Sequence, residues 1–300
     1  VGHWTNAESG TGCTVIVFDP PACCGVDVRG SSPGTREIAL LDPIASMNRI
    51  NAIVLTGGSA FGLAAASGVA SGLHEAGQGF STQHTNVPIV PAAVIYDLGI
   101  GDIAWPDESA GYKAYKAATD KGFATGNVGA GTGATAGSGA SGTKSGLGSA
   151  TVEVGALRVS AIVVANPIGS ILRVNGEVLA GQLDNGSLMA PEAVLCNMGY
   201  RPFAENTVIG CVITNATLNK VSATKVAQMA HDGIARAVRP AHTTVDGDTL
   251  FCASLPGCGI DFDLNLVGDI AALAVSHAIR DGALSAVPAY GLPSALSLFR

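Results

Sequence analysis

Glu205-Asn206-Thr207-Val208-Ile209-Gly210-Cys211-Val212-Ile213-Thr214 sets an Asn-Thr pair at the mouth of an apolar, β-branched run. The run reads as a buried strand that opens on a hydroxyl residue. Scission of the peptide bond before Thr207 would leave one residue carrying both a nucleophilic hydroxyl and a free α-amine. Such an amine titrates near pH ~8, so at neutral pH a usable fraction is unprotonated and can take the hydroxyl proton. The plain alternative is an Asn-Thr turn leading into a strand.

Around this segment, 300 residues suffice for one large domain or two smaller ones with a sizeable core. Charged residues make up 13% of the chain and the mean hydropathy is +0.37. A typical soluble domain is about 25% charged, so much surface must be buried within a multilayered fold or between subunits. The apolar runs, such as Ala161-Ile162-Val163-Val164-Ala165, break well short of the roughly 20 residues that cross a bilayer, which argues against a membrane partner. A net charge of −7 and a pI near 5.3, without a Lys/Arg cluster, argue against a nucleic-acid partner and favour a neutral or cationic small substrate. The cysteines (13, 23, 24, 196, 211, 252 and 258) are odd in number and contain no CxxC pair. They speak against a disulfide framework or zinc knuckle and for a reducing cytoplasm, with Cys211 and Cys252 as small core residues. The chain opens Val1-Gly2-His3-Trp4 without Met or a signal-peptide pattern, so its numbering is expected to begin inside the natural protein.

Strands are expected at Thr14–Phe18, ended by Asp19-Pro20-Pro21, at Asn51–Thr56 and at Ala92–Asp97. Ser59 is expected to cap an Ala-rich helix running to about Glu75, and Ser109–Lys121 reads as an exposed amphipathic helix. Residues 122–148 are rich in Gly, Ala, Ser and Thr, either a flexible linker or a backbone-lined site. Three β-like runs fall in 151–180, the last two joined by an Asn175-Gly176 turn, and 181–206 reads as an irregular surface loop. Past Thr207 come a strand, a helix capped by Ser222 and running to about Val238, a strand at Thr249–Ala253, and a helix from about Leu264 to Ile279. Strands and helices recur on both sides of Asn206 with no repeat or linker, which favours one α/β domain.

Several motifs are weak. Gly129-Ala130-Gly131-Thr132-Gly133-Ala134 fits a loose dinucleotide fingerprint but follows no clear strand. Gly137-Ser138-Gly139-Ala140-Ser141-Gly142-Thr143-Lys144-Ser145 departs from a P-loop because Thr143 separates the last glycine from the lysine. Phe61 stands where a nucleophile elbow at Ser59 requires Gly. No cofactor is expected from these. His242-Thr243-Thr244-Val245-Asp246-Gly247-Asp248-Thr249 is stronger. Its two carboxylates lack the further acidic ligands a calcium loop needs, so no metal is expected, and they are better suited to supporting an amine or hydroxyl. Turn aspartates that cap the backbone remain an alternative, as does a merely packed or surface His242.

Asn206-Thr207, the run Ala227-Gln228-Met229-Ala230-His231-Asp232-Gly233, and His242 to Asp248 resemble the small-subunit signature of the self-processing L-aminopeptidase/D-esterase family. Val1 to Thr5, Gly57 to Leu63, Val94-Ile95-Tyr96-Asp97 and Ala165-Asn166-Pro167-Ile168-Gly169 resemble its large subunit. A threonine at the processing point is most similar to the nylon-oligomer hydrolases of that family.

The resemblance implies a four-layered α/β/β/α sandwich of the N-terminal-nucleophile kind, made from fragments 1–206 and 207–300 of one precursor and forming a homo-oligomer, a tetramer being favoured. It implies that Thr207 attacks the Asn206 carbonyl, and that the freed Thr207 then hydrolyses short peptides, amino-acid amides or ω-amino-acid oligomers through an acyl-enzyme. Asp246 and Asp248 would hold the Thr207 amine and hydroxyl, the Asn166 amide would donate to the oxyanion, and Tyr96 would line the pocket or hydrogen-bond near the nucleophile. The Gly129–Gly133 segment would offer close backbone approach, unless it is a loop with no contact to substrate. The lysine that follows the glycine-rich loop in the threonine-type relatives falls at Ser138 here, with Lys144 either replacing its charge or lying solvated in a loop. A noncatalytic small-ligand-binding or assembly protein on the same fold is the alternative.

Overall fold

The computed structural model describes residues 1–137, 139–197, 206–256, 259 and 261–299. Side chains alternate across a strand, and here the alternation sorts them between two cores. On the strand Thr207–Thr214, Val208 and Val212 enter one core while Ile209 and Cys211 enter another. On Thr249–Ser254, Leu250 and Cys252 share the first core, and Phe251 and Ala253 the second. A strand apolar on both faces is covered on both faces.

The principal strands are β1 (Gly2–Asn6), β2 (Thr11–Val28), β3 (Ile50–Thr56), β4 (Ala92–Val94), β5 (Leu147–Val154), β6 (Leu157–Asn166), β7 (Thr207–Thr214) and β8 (Thr249–Ser254). They run in the order β5-β6-β7-β8-β2-β3-β4, with Thr35–Arg36 beyond β4 and β1 paired to β2. The pairs β7/β8 and β3/β4 are parallel, and the other pairs are antiparallel. Four longer helices cover the outside: α1 (Ala65–Glu75), α2 (Glu108–Lys116), α3 (Lys220–Ala237) and α4 (Leu264–Ser285).

Strand β2 is the seam. Its first half pairs with β3 and its second half with β8, so the sheet divides into two stacked leaves. One core joins α1 and α2 to the β1–β4 leaf, a second lies between the leaves, and a third joins the β5–β8 leaf to α3 and α4. Three cores separate four layers, α/β/β/α, as the resemblance implied.

Asp19-Pro20-Pro21 does not end β2, contrary to expectation. The pairing shifts between Val17 and Ala22, and this irregularity absorbs the residues that cannot donate to the ladder. Ser59 is no cap: it has φ +51°, its N–H donates to the Ile95 carbonyl (3.0 Å), and a 3₁₀ turn Ser59–Ala64 precedes α1. The cap of α3 is Asn219, whose side chain accepts the Ser222 N–H (2.9 Å), and that of α4 is Asp263. Helix α4 continues past Ile279 to Ser285 because its small residues let the chain approach β5 closely; a Cβ on Gly148 would stand 2.0 Å from the Ala278 carbonyl. Helix α2 stops at Lys116, before the expected Lys121, and β4 stops at Val94, before Asp97.

Residues 122–148 are no flexible linker, since Ala130, Ala134, Ala136, Thr143, Lys144 and Leu147 are all buried. The glycines permit this: a Cβ on Gly131 would meet the Leu147 nitrogen at 2.1 Å and one on Gly133 the Gly10 carbonyl at 2.2 Å. Within 181–206, Leu183–Asp184 pairs with Ser187–Leu188 and Pro191–Asn197 is helical, so part of the expected irregular loop is regular; 198–205 lie outside the described residues. Among the described residues no helix is long and apolar enough to cross a membrane.

Candidate active site

Sheet register gathers residues far apart in sequence. Antiparallel pairing of β6 with β7 sets Asn166 opposite Thr207. Parallel pairing of β7 with β8 sets Ile209 opposite Thr249, so the loop entering β8 lies beside the residues entering β7. Asn206 and Asp246 form an isolated parallel bridge there. One end of the β5–β8 leaf thus carries Asn166, Asn206, Thr207, Asp246 and Asp248, all buried.

The Thr207 hydroxyl donates to the carbonyl oxygen of Asn206. The same oxygen accepts the Gly247 N–H at 3.2 Å. A side chain at 247 would crowd this arrangement, since a Cβ there would stand 3.0 Å from Thr207 Oγ1. The Asn206 amide reaches the Gly137 and Asn166 carbonyls, each at 3.5 Å. Asp248 Oδ1 accepts the Val208 N–H at 2.7 Å, and its Oδ2 accepts from His242 twice, from backbone N at 3.2 Å and ring Nδ1 at 2.7 Å. Asp246 Oδ2 accepts from the Thr243 N–H (2.9 Å) and hydroxyl (2.6 Å). Burial, and then the like charge of Asp248, push Asp246 up to about 6. Burial pulls His242 down, but the hydrogen bond and charge of Asp248 outweigh it and raise the imidazole above its ordinary value.

Asn166 stands at the edge of this cluster. Its Oδ1 accepts the Thr135 N–H at 2.9 Å and its Nδ2 donates to the Tyr96 carbonyl at 3.3 Å, while the donor on the Asn206 carbonyl is the Gly247 backbone. Tyr96, with Asp97, Gly99, Ile100, Thr135, Gly139 and Asn206, lines a small cavity of about 40 Å³.

Lys144 is neither a solvated loop residue nor a member of this cluster. It is fully buried, and its Nζ donates to the carbonyls of Gly131 (3.1 Å), Ala134 (2.8 Å) and Ser145 (2.5 Å). Burial lowers it to about 7 against the pull of Asp97, which burial raises to about 6 although Gly58 N–H and Thr11 hydroxyl both donate to it. The glycine-rich segment therefore supplies carbonyls to an internal ammonium rather than N–H groups to a phosphate. Ser138 lies outside the described residues.

Sequence reasoning did not assign roles to His242, Gly247, Thr243 and Thr135. The first three lay inside the quoted 242–249 run, where a histidine six positions before Asp248 was the available signal. Among the described residues no group of three or more His, Cys, Asp or Glu side chains is placed to hold a metal ion.

With this geometry in hand, comparison with known proteins is decisive for the family: the model of peptidase family S58 matches residues 1–291. The chain belongs to peptidase family S58. An uncharacterized aminopeptidase of Mycobacterium leprae is 37% identical, with 100% of this chain aligned to 91% of that protein. A 6-aminohexanoate-oligomer endohydrolase of Kocuria sp. is 33% identical over 85% of this chain and 72% of its own length. Among solved structures, a Burkholderia sp. β-aminopeptidase superposes with a TM-score of 0.74 at 22% identity, covering 100% of this chain and 88% of that one. The L-aminopeptidase D-Ala-esterase/amidase of Ochrobactrum anthropi, described as a variant of the Ntn-hydrolase fold, gives 0.72 at 19%, covering 95% and 83%. These two establish the fold, and S58 membership makes the chain an amide or peptide hydrolase.

Proposed function

We propose that this S58 hydrolase is made as a precursor that cleaves itself between Asn206 and Thr207 and then acts as an N-terminal-threonine amide hydrolase. The observation that carries the reading is the Thr207 hydroxyl held on the Asn206 carbonyl, with the Gly247 N–H on the same oxygen. Attack of Oγ1 on the carbonyl carbon forms a C–O bond and places negative charge on the oxygen that Gly247 already faces. One such preorganised donor is worth about 3–4 kcal/mol in a hydrolase. Collapse breaks the C–N bond, the departing nitrogen takes the proton, and Asn206 is left as an ester on Thr207. Water opens the ester to give the Asn206 carboxylate and a Thr207 with free hydroxyl and amine.

In the second role the Thr207 amine accepts the proton of its own hydroxyl as that oxygen attacks an external amide, giving an acyl-enzyme that water hydrolyses. Asp248, already on the Val208 N–H, and the adjacent Asp246 hold the new amine. Asn166 and Tyr96 shape the acyl side, beside the cavity that Asn206 lines. The relatives' names and the small cavity support short peptides, amino-acid amides or ω-amino-acid oligomers as substrates. A homo-oligomer is supported by exposed apolar groups such as the stacked Phe61–Trp105 pair and Ile103.

The test is the denatured mass of freshly purified protein with N-terminal sequencing of each fragment. A fragment beginning Thr207-Val208-Ile209 is expected. A chain that stays unbroken on long incubation and hydrolyses no amide overturns the reading in favour of a noncatalytic binding protein.

A further inference from the structure

We infer that His242 is a positioning residue that clamps Asp248 so that its free oxygen is aimed at the Thr207–Val208 backbone. The inference rests on the proposed role of Thr207 and adds a residue whose part in it had not been assigned.

The geometry is specific. Asp248 Oδ2 takes two hydrogen bonds from one residue, from the His242 backbone N–H and from its ring Nδ1, while Oδ1 is left for Val208 N–H. Both His242 donors converge on one oxygen because the residue sits at φ +56°, a left-handed conformation uncommon for a residue with a side chain. Strain of this kind persists only where its surroundings impose it, typically at functional sites. The ring is held from behind by His231 of α3, edge-on at 4.9 Å between centroids. His231 Nε2 in turn bonds the Asp27 carbonyl of β2 at 3.0 Å, and Arg29 pairs with the Asp27 carboxylate at 2.8 Å. The ionisable groups around the His242 ring are therefore Asp248 on its own loop, His231 from α3, Asp27 from β2 and Arg29 just past its end. Because Nδ1 faces a carboxyl oxygen it carries the proton, and the buried Nε2 has no partner.

Once protonated, the His242 ring also offsets the crowding of two neighbouring acids. Asp246 is raised by burial and by the charge of Asp248. Removing the cation from beside Asp248 leaves that repulsion unrelieved, so the acid pair takes up its proton at higher pH.

The experiment compares wild type, His242→Ala, His242→Asn and Thr207→Ala, following first-order self-cleavage by mass spectrometry from about pH 5 to 9, with melting curves for each. Asn tolerates the left-handed backbone and places an amide N–H where Nδ1 stood, but carries no charge. His242→Ala is expected to cleave about 10- to 100-fold more slowly at temperatures where it is fully folded, the range that corresponds to losing a hydrogen bond to a charged group. His242→Asn is expected to recover to within about threefold of wild type on the alkaline plateau while its acid limb moves up by about half a pH unit or more. If His242→Ala does not fold, the Asn variant decides alone. Wild-type cleavage with an unmoved acid limb in His242→Asn, or an unchanged rate in folded His242→Ala, overturns the inference. Failure of the underlying reading looks different: wild type itself stays intact, or Thr207→Ala cleaves normally, and the clamp then falls with it.

Discussion

Two buried polar clusters sit side by side in this molecule, joined through adjacent residues: Ala134 gives its carbonyl to Lys144, and Thr135 gives its N–H to Asn166. Around Lys144 both charged groups are tied to the backbone, with three carbonyls on Lys144 Nζ, and the Gly58 N–H and the Thr11 hydroxyl on Asp97. Around Thr207 the bonding is uneven: the Asn206 amide makes only long contacts, the His242 Nε2 has none, and two acids stand close enough to raise one of them. A cluster tied in this way resists change and serves as a strut for the loops it joins. An unevenly bonded one has partners to exchange as charge and covalent connectivity shift, which is what a processing site needs.

The largest expected contrast comes from Thr207→Ala. Loss of a nucleophile typically costs at least about 10⁴-fold, so self-cleavage and amide hydrolysis should vanish from mass and product assays while the melting temperature stays near that of uncleaved wild type. Lys144→Met should do the reverse. It leaves the Gly131, Ala134 and Ser145 carbonyls facing a thioether, an expected loss of about 3–5 kcal/mol in denaturant unfolding. If Lys144→Met were as stable as wild type, the strut reading would be wrong.

Asp248→Asn is a finer probe. It keeps an acceptor for Val208 N–H but turns a donor toward His242, so a stability loss of about 1–3 kcal/mol is expected together with a roughly 10²–10³-fold fall in cleavage rate. Rate loss no larger than the unfolded fraction explains would move Asp248 from the chemistry to the scaffold.

The contrast also shows what the sequence could carry. Strand β7 was legible to the residue, because Thr207–Thr214 is apolar on both faces and bounded by polar punctuation. The nucleophile candidate and the Asp246/Asp248 pair were legible because their chemistry is local to short runs. The fate of Lys144 was not, since whether a lysine in a glycine-rich stretch meets water or a cage of carbonyls depends on backbone approaches to residues up to 13 positions away. Likewise β2 was expected to stop at Pro20-Pro21, because local rules place proline at strand ends and only the partner switch from β3 to β8 shows why the strand can run on. The Gly247 N–H on the Asn206 carbonyl was not legible for a similar reason: which backbone donor faces that oxygen is set by how the 242–248 loop lies beside the start of β7, not by residue type.

The effect confined to a pH window tests how the two clusters respond to acid. Burial lowers His231 to about 4, whereas Asp97 and Asp246 are both raised to about 6. As pH falls from about 6.5 toward 4 the unfolded chain protonates this histidine before the folded one does, so His231 withdraws stability over that window, on the order of 3 kcal/mol when complete. The two acids act in the opposite sense, because the folded state takes up their protons first as pH drops through 6, and their contribution masks the histidine's in the wild-type curve. The informative quantity is therefore a difference. His231→Gln keeps a donor for the Asp27 carbonyl but cannot charge, so relative to wild type its unfolding free energy should improve by about 2–3 kcal/mol between pH 7 and pH 4.5. A constant gap across that range would mean that the His231 imidazole is protonated as readily in the fold as out of it. The chain from Asp27 to Asp248 would then carry a charge at its centre, and the Thr207 cluster would be more evenly compensated than its hydrogen bonds indicate.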